Sequence, residues 1–357
     1  MQDKINKIII IKSGNLGDMV VSIPALRILR ENFPNSKIEF IWVKTAPTNI
    51  SFPSEVFGDL NLVDKIYELN LSNNILSKIL NIAKLVLLIW SIRPDLGIIL
   101  EPKYWSARRG NFLKICGVKK VVSPTGESSH IERADGFQLK RVINVVESIC
   151  DTLIKNGIQP KNSIRDYYFI EHAQENLEKS QLLLDKRKDG KKLLVAIAIA
   201  SNMPSKRWPI DRYEILIGKL IESHNIYPIY FGGAADFESS NQLIDKFGIG
   251  LNLAGVTSIS LSMAAMNYCD IYLGNDTGPM HMASIVGLPC VAIFSSIDMP
   301  GRWEPYGTNE HKIIRENLEC SGCMLTICTE RNGECLTRIS IDSVYKECES
   351  LINKINV

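Results

Sequence analysis

The chain has 357 residues, long for a single core, so two domains of ordinary size are expected. Hydrophobic residues make up 45% and charged residues 22%, the proportions of a globular protein rather than a disordered one. With 41 basic against 39 acidic residues the net charge is +2, which gives no electrostatic case for nucleic acid as the main partner.

The amino terminus runs directly into strand-like Lys7 to Lys12, without the basic, apolar, small-residue order of a signal peptide. A cytoplasmic protein is therefore expected. Residues 7 to 13 read as a near-continuous apolar strand, as in a parallel sheet covered on both faces. Gly14-Asn-Leu-Gly-Asp18 follows, then a helical spacing at Val21, Ala25, Ile28 and Leu29, a stop at Pro34 and a second strand over 37 to 43. The acidic Asp18 makes phosphate an improbable occupant of this glycine-containing turn. A carboxylate at the carboxyl end of a parallel strand is a candidate general base for an acceptor hydroxyl, and its alternative role is to cap the following helix.

Residues 79 to 92 are the most apolar helical stretch, interrupted by Lys84 and ended by Arg93-Pro94. They are too few to span a bilayer and are expected to form a buried helix rather than a membrane-contacting one. Asp95 to Leu100 reads as another buried strand. After it, Lys103, Arg108 and Arg109 stand beside two aromatic residues, where they can hold an anionic sugar acceptor or form a solvated face.

Residues 171 to 192 are polar and helix-prone, and mark the expected domain boundary. Strand and helix alternation restarts with Leu193 to Ala200. Ser201 and Asn202 at that strand's end, with Lys206 a few residues on, form a polar loop whose ammonium can neutralise a diphosphate. Pro209 suits the start of an amphipathic helix. The strand 226 to 231 is followed by Gly232-Gly-Ala-Ala-Asp236, where Asp236 can bracket a ribose. Asn252 to Thr257 leads into a helix ending near Asn267.

The stretch 270 to 294 organises the second half: a buried strand, the turn Asn275-Asp276-Thr277-Gly278, a short helix opened by Pro279 and stopped at Gly287, and a second apolar strand over 290 to 294. Thr277 and Gly278 fall where helix amides lack internal partners and the helix dipole favours an anion. His281 can add a donor to the same anion. Asp276 would repel phosphate, so its expected task is to brace the turn or hold a sugar hydroxyl. A plain N-cap turn with a satisfied histidine is the alternative.

Cys320, Cys323, Cys328 and Cys335, four of the nine cysteines, fall within sixteen residues. In a reducing compartment this favours a closed Zn or Fe site, although the spacing is not a standard zinc-finger one, and a labile disulfide or unpaired thiols stay open. Residues 341 to 357 read as a last helix.

Together, Gly17-Asp18 with Pro24 and Leu26, Lys206-Arg-Trp-Pro209, Gly232-Gly233 with Asp236, and Asp276-Thr-Gly-Pro-Met-His281 followed by Gly287-Leu-Pro289 resemble glycosyltransferase family 9, the heptosyltransferases of the lipopolysaccharide inner core. The cysteine pattern is similar to one in many second-type heptosyltransferases. The resemblance implies an α/β GT-B fold, with two Rossmann-like domains of mostly parallel sheets facing across a cleft. The acceptor-binding domain would cover 1–170, the nucleotide-sugar domain 171–340, and helix 341–357 would return to the first domain.

It implies Asp18 as general base and ADP-heptose on the second domain, with Lys206, Thr277 and Gly278 facing the diphosphate and Ser201 and Asn202 nearby. Asp236 with Val256 and Thr257 would take the nucleoside side, and Asp276 with His281 the donor near the breaking bond. The chemistry would invert the anomeric centre without a catalytic metal. The acceptor would be a glycolipid or glycan, with possible peripheral contact at the cytoplasmic face of the inner membrane. Two departures bear on the donor sugar: Ser201-Asn202 replaces a common hydroxyl pair, and Ser295-Ser296 stands where glycine is usual. Another nucleotide sugar is the nearest rival, and a GT-B epimerase or hydrolase needing no acceptor is a second.

Overall fold

The structure is a computed structural model that describes residues 5–44, 52–70, 75–101, 107–124, 131–185 and 193–355. Contacts divide it into two units, residues 1–130 with 145–169, and 131–144 with 170–357.

In the first unit five strands, β1 (Lys7–Ser13), β2 (Lys37–Lys44), β3 (Lys65–Asn70), β4 (Leu96–Ile99) and β5 (Lys120–Val122), form a parallel sheet in the order β3-β2-β1-β4-β5. Four consecutive isoleucines of β1, Ile8 to Ile11, are at most 3% exposed, because helices cover both faces of a central parallel strand. A short antiparallel pair, β6 (Arg133–Asp135) and β7 (Gln138–Leu139), belongs to the second unit.

That unit's main sheet holds β8 (Leu193–Ala198), β9 (Ile226–Tyr230), β10 (Leu251–Asn252), β11 (Ile271–Asn275), β12 (Cys290–Phe294) and β13 (His311–Arg315). All are parallel, in the order β10-β9-β8-β11-β12-β13. In each sheet the order reverses beside the first strand, between β1 and β4 and between β8 and β11. Ligands of open α/β sheets collect at the carboxyl ends beside such a reversal.

Three features differ from the sequence reading. Residues 131–144 join the second unit, where Val142 N–H donates to Pro300 O (2.9 Å) and the Asn144 amide to Glu304 O (2.9 Å). The last helix, Ile341–Ile355, expected to reach back to the first domain, groups with the second unit. Its stripe Val344, Cys348, Leu351 and Ile352 enters the core formed by Trp208, Tyr213, Leu216 and Leu220, so burial of that face decides where it packs.

The third is the helix Ile75–Ile92, expected to be buried. Among its described side chains the stripe Leu85, Val86, Leu88, Ile89 and Ile92 packs against the first unit's core, whereas Leu80, Leu87 and Trp90 are 61%, 62% and 58% exposed. A helix apolar almost all round has more apolar surface than one sheet face can cover. Among the described residues no helix is long and apolar enough to cross a membrane.

Candidate active site

At the carboxyl end of β1 the chain turns through Gly14 with φ of +121°. A Cβ there would lie 2.3 Å from Asp18 Cγ, so only glycine lets the backbone pass over the carboxylate. Asp18 is half-buried, and its Oδ2 accepts the Asn15 amide at 2.9 Å, which fixes the carboxylate at the start of the helix Leu16–Val20. The capping contact weighed from the sequence is thus present.

On the same sheet edge, buried Glu101 after β4 accepts the Ser13 amide (2.6 Å) and hydroxyl (2.8 Å) and pairs with Arg109. Arg109 also donates to Ser13 Oγ at 3.0 Å. It therefore stands beside the Gly14–Asp18 turn, clamped to Glu101 rather than held out in solvent. Lys103 lies outside the described residues, and Arg108 is on the helix Ala107–Ile115 with its side chain outside them.

In the second unit the turn after β11 is tied from several sides. Asn275 is fully buried, its Nδ2 donating to Ile199 O (3.0 Å) and its Oδ1 accepting the Trp208 amide (3.1 Å). One side chain thereby joins the loop after β8 to the loop after β11. Gly274 lets them approach, because a Cβ there would sit 2.6 Å from Ala198 O and 2.5 Å from the Tyr272 hydroxyl. The sequence reading quoted Asn275 but gave it no role; its neighbours across the sheet were not visible.

Within this knot Lys206 Nζ meets Asp276 Oδ2 at 2.6 Å, with side chains 16% and 7% exposed. Asp276 therefore braces the turn through the lysine. An ammonium carries three donors, so Lys206 retains others for a ligand. Thr277 is the N-cap of the helix Gly278–Ile285, with Pro279 in its first turn. Proline has no amide, so the donor exposed first on this helix end is that of Gly278. Ser201, half-buried, accepts the Met203 amide at its hydroxyl (3.2 Å) and the Arg207 side chain at its carbonyl (2.6 Å), and Asn202 is exposed beside it.

His281, read from the sequence as a donor to the same anion or a satisfied histidine, lies on the buried side of the helix Gly278–Ile285. It is 4% exposed and packs edge-on to Trp303 with ring centroids 5.9 Å apart. Burial, partly opposed by Asp276 and assisted by Lys206, pulls its pKa from 6.5 down to about 4. The ring is neutral near pH 7. Between these values the unfolded chain binds a proton that the folded one does not, so stability rises with pH across this window and is lost as pH falls from 6.5 towards 4. The loss should reach roughly 3 kcal/mol. Melting curves at stepped pH should show this slope, and His281→Gln should flatten it.

The remaining candidates lie on adjacent strands of the same edge. Asp236 Oδ2 accepts the Gly233 amide at 2.8 Å, which shapes the turn after β9. Gly255 N–H donates to Gly232 O at 3.0 Å, so the Val256–Thr257 turn lies against that one. Val256 is 59% exposed, and the Thr257 hydroxyl donates to Leu253 O at 3.1 Å. The ends of β10, β9, β8 and β11 thus carry every donor-site candidate in one row.

Cys320, Cys323, Cys328 and Cys335 line a single cavity of about 20 Å³, room for one ion or water. None of the nine cysteines is in a disulfide. Amides of Gly333 and Arg331 lower the pKa of the Cys328 thiol, while burial raises that of Cys335 despite an opposing Ser296 backbone contact. Soft thiolates around one space fit Zn or Fe in donor chemistry. They do not yet fit in geometry: among the described residues no three such donors are gathered closely enough to hold a metal ion. The loop they occupy touches the donor edge, since Ser205 N–H donates to Thr326 O at 3.1 Å.

The profile of glycosyltransferase family 9 (heptosyltransferase) matches residues 141–333, more than half of the chain and all of the donor edge from Ser201 to His281. The chain belongs to glycosyltransferase family 9. It is 28% identical over 168 residues to lipooligosaccharide heptosyltransferase 2 of Campylobacter jejuni (serotype O:6), covering 46% of this chain and 52% of that protein. The match therefore spans about half the length of that relative.

Among solved structures, a family 9 glycosyl transferase from Veillonella parvula superposes with a TM-score of 0.72 at 20% identity, covering 99% of both chains. Escherichia coli ADP-heptose lps heptosyltransferase II gives 0.67 at 17% identity, covering 98% of this chain and 100% of the other. These likenesses establish the fold of this family 9 chain as GT-B, two α/β domains with parallel sheets.

Proposed function

We propose that this family 9 chain is an inverting glycosyltransferase that moves heptose from ADP-heptose to a hydroxyl of a lipopolysaccharide core or related surface-glycan acceptor. The observation that carries this reading is the Lys206–Asp276 pair at the opening of the helix Gly278–Ile285, in a turn that Asn275 ties to the loop after β8. A fixed ammonium and a helix amide suit a departing diphosphate. Family membership and the likeness to the Campylobacter lipooligosaccharide heptosyltransferase 2 support the same chemistry.

In the proposed step the Asp18 carboxylate takes the proton of the acceptor hydroxyl. That oxygen bonds to the anomeric carbon as the bond from this carbon to the phosphate oxygen breaks, and ADP leaves with the electron pair. A single displacement inverts the centre. Lys206 and the Gly278 amide meet the charge on ADP, with Ser201 and Asn202 beside them, and Asp236 with Val256 and Thr257 holds the nucleoside. Neutral His281 packs behind the turn, and Arg109 holds Glu101 next to Asp18 on the acceptor side.

ADP-heptose should be consumed with ADP release that depends on a core-type acceptor, whereas UDP-sugars and GDP-sugars should not react. Turnover of another nucleotide sugar in place of ADP-heptose would remove the donor assignment, and product formed from donor alone would remove the transfer. Because such acceptors are lipid-linked, the reaction belongs at the cytoplasmic face of a membrane.

The four clustered cysteines are proposed to hold a structural Zn or Fe ion, with no part in the chemistry. Support comes from their shared cavity and the amides turned towards Cys328. Protein purified under reducing conditions should carry about one equivalent of metal per chain, lost in Cys328→Ser. Four freely titrating thiols and no metal would rule the site out.

A further inference from the structure

We propose that the exposed face of the helix Ile75–Ile92 is a docking surface for an anionic lipid bilayer. Leu80, Leu87 and Trp90, at 61%, 62% and 58% exposure, fall on one side of that helix at spacings of seven and three. Three large apolar side chains on one helix side, without a covering element among the described residues, mark a binding face rather than scattered exposure.

Trp90 shows how the face is finished. Its Nε1–H donates to Cys116 O at 3.1 Å, so the polar atom is satisfied inside the protein while most of the ring is presented outward. The same carbonyl stands next to Ile115, which is 84% exposed, and the face therefore continues onto the end of the neighbouring helix Ala107–Ile115. Indole rings prefer the boundary between lipid headgroups and acyl chains.

Charge selects lipid over a second protein. Lys84 on the helix and Arg93 just after it, with Lys114, Lys119 and Lys120 at and beyond the end of the helix Ala107–Ile115, are all exposed, and neither stretch, 75–94 or 107–120, contains an Asp or Glu. The whole chain is nearly neutral, so these cations are locally segregated, and they complement anionic headgroups. An 18-residue helix, about 27 Å long, lying flat with an apolar face and basic flanks is the interfacial arrangement rather than a spanning one. A lipid-linked acceptor, which rests on the proposed function, would give the surface its purpose, but the surface itself follows from the helix face.

The test is flotation of the full chain with vesicles of phosphatidylethanolamine and phosphatidylglycerol, against vesicles of phosphatidylcholine alone. The wild type should float with the anionic vesicles and detach as salt is raised. Leu80→Gln with Leu87→Gln, both at exposed positions outside the first unit's core, should lower the bound fraction about tenfold with an unchanged melting temperature. Transfer to a short, water-soluble acceptor should persist in that variant, while transfer to acceptor embedded in vesicles falls. Equal flotation of variant and wild type would overturn the proposal, as would a wild type that ignores vesicles. A dimer in solution that the double variant dissociates, without vesicle binding, would assign the face to a second copy instead. Because flotation needs no turnover, loss of the transferase reading would leave its result standing.

Discussion

Asp18→Asn is expected to lower kcat by about 10³-fold, within the range for loss of a general base, with ADP affinity unchanged. The choice of asparagine follows from the contact with the Asn15 amide. An amide oxygen can still accept that hydrogen bond, so the Gly14–Asp18 turn stays in place and only the basicity is removed. Asp18→Ala would lose both and mix turn collapse with loss of the base. Steady-state kinetics beside calorimetric binding of ADP separate the two. Full transfer activity in Asp18→Asn would end the base assignment, and weakened ADP binding would show that Asp18 acts on the second unit in a way the mechanism does not include.

Lys206→Met should be the second large effect, lowering kcat/KM by about 10² to 10³-fold, the usual cost of removing one donor that meets charge in the transition state. It should also destabilise the fold by about 3 kcal/mol, because the Asp276 carboxylate is left 7% exposed and without its cation. Adding Asp276→Asn relieves that stranded charge. The double variant should recover most of the melting temperature and none of the rate, which divides the lysine's structural work from its work on the leaving group. Recovery of the rate along with the stability would mean that Lys206 serves only to hold the turn.

Much of this was legible in the sequence. A run of isoleucines in β1, the polar turns at strand ends and Pro279 inside a helix start are local signals, and they fixed the parallel α/β class and one donor edge. What escaped depends on contacts far apart in the chain. Asn275 gains its role from Ile199 and Trp208 across the sheet, and Asp276 from a lysine 70 residues earlier. His281 could be placed on the helix, but its neutrality comes from burial against Trp303. The apolar run 79 to 92 has no periodicity to say how much of it a sheet would cover. Lys12 sits in an otherwise apolar strand and is wholly buried, with no hydrogen-bond partner for its amine among the described residues, which no reading of neighbours in sequence anticipates. The outlying segment 131–144 lacked any compositional mark to separate it from the residues around it.

That segment has a consequence for cutting the protein into halves. The backbone changes unit after residues 130, 144 and 169, so neither half is one uninterrupted stretch. A fragment ending at Phe169 would carry residues 131–144 without their anchor at Glu304, and a fragment beginning at Ile170 would leave Glu304 without Arg141. Severed halves should therefore be unstable apart and reassemble when mixed, and exchange of donor specificity between family members should succeed only if the short segment travels with the distal half.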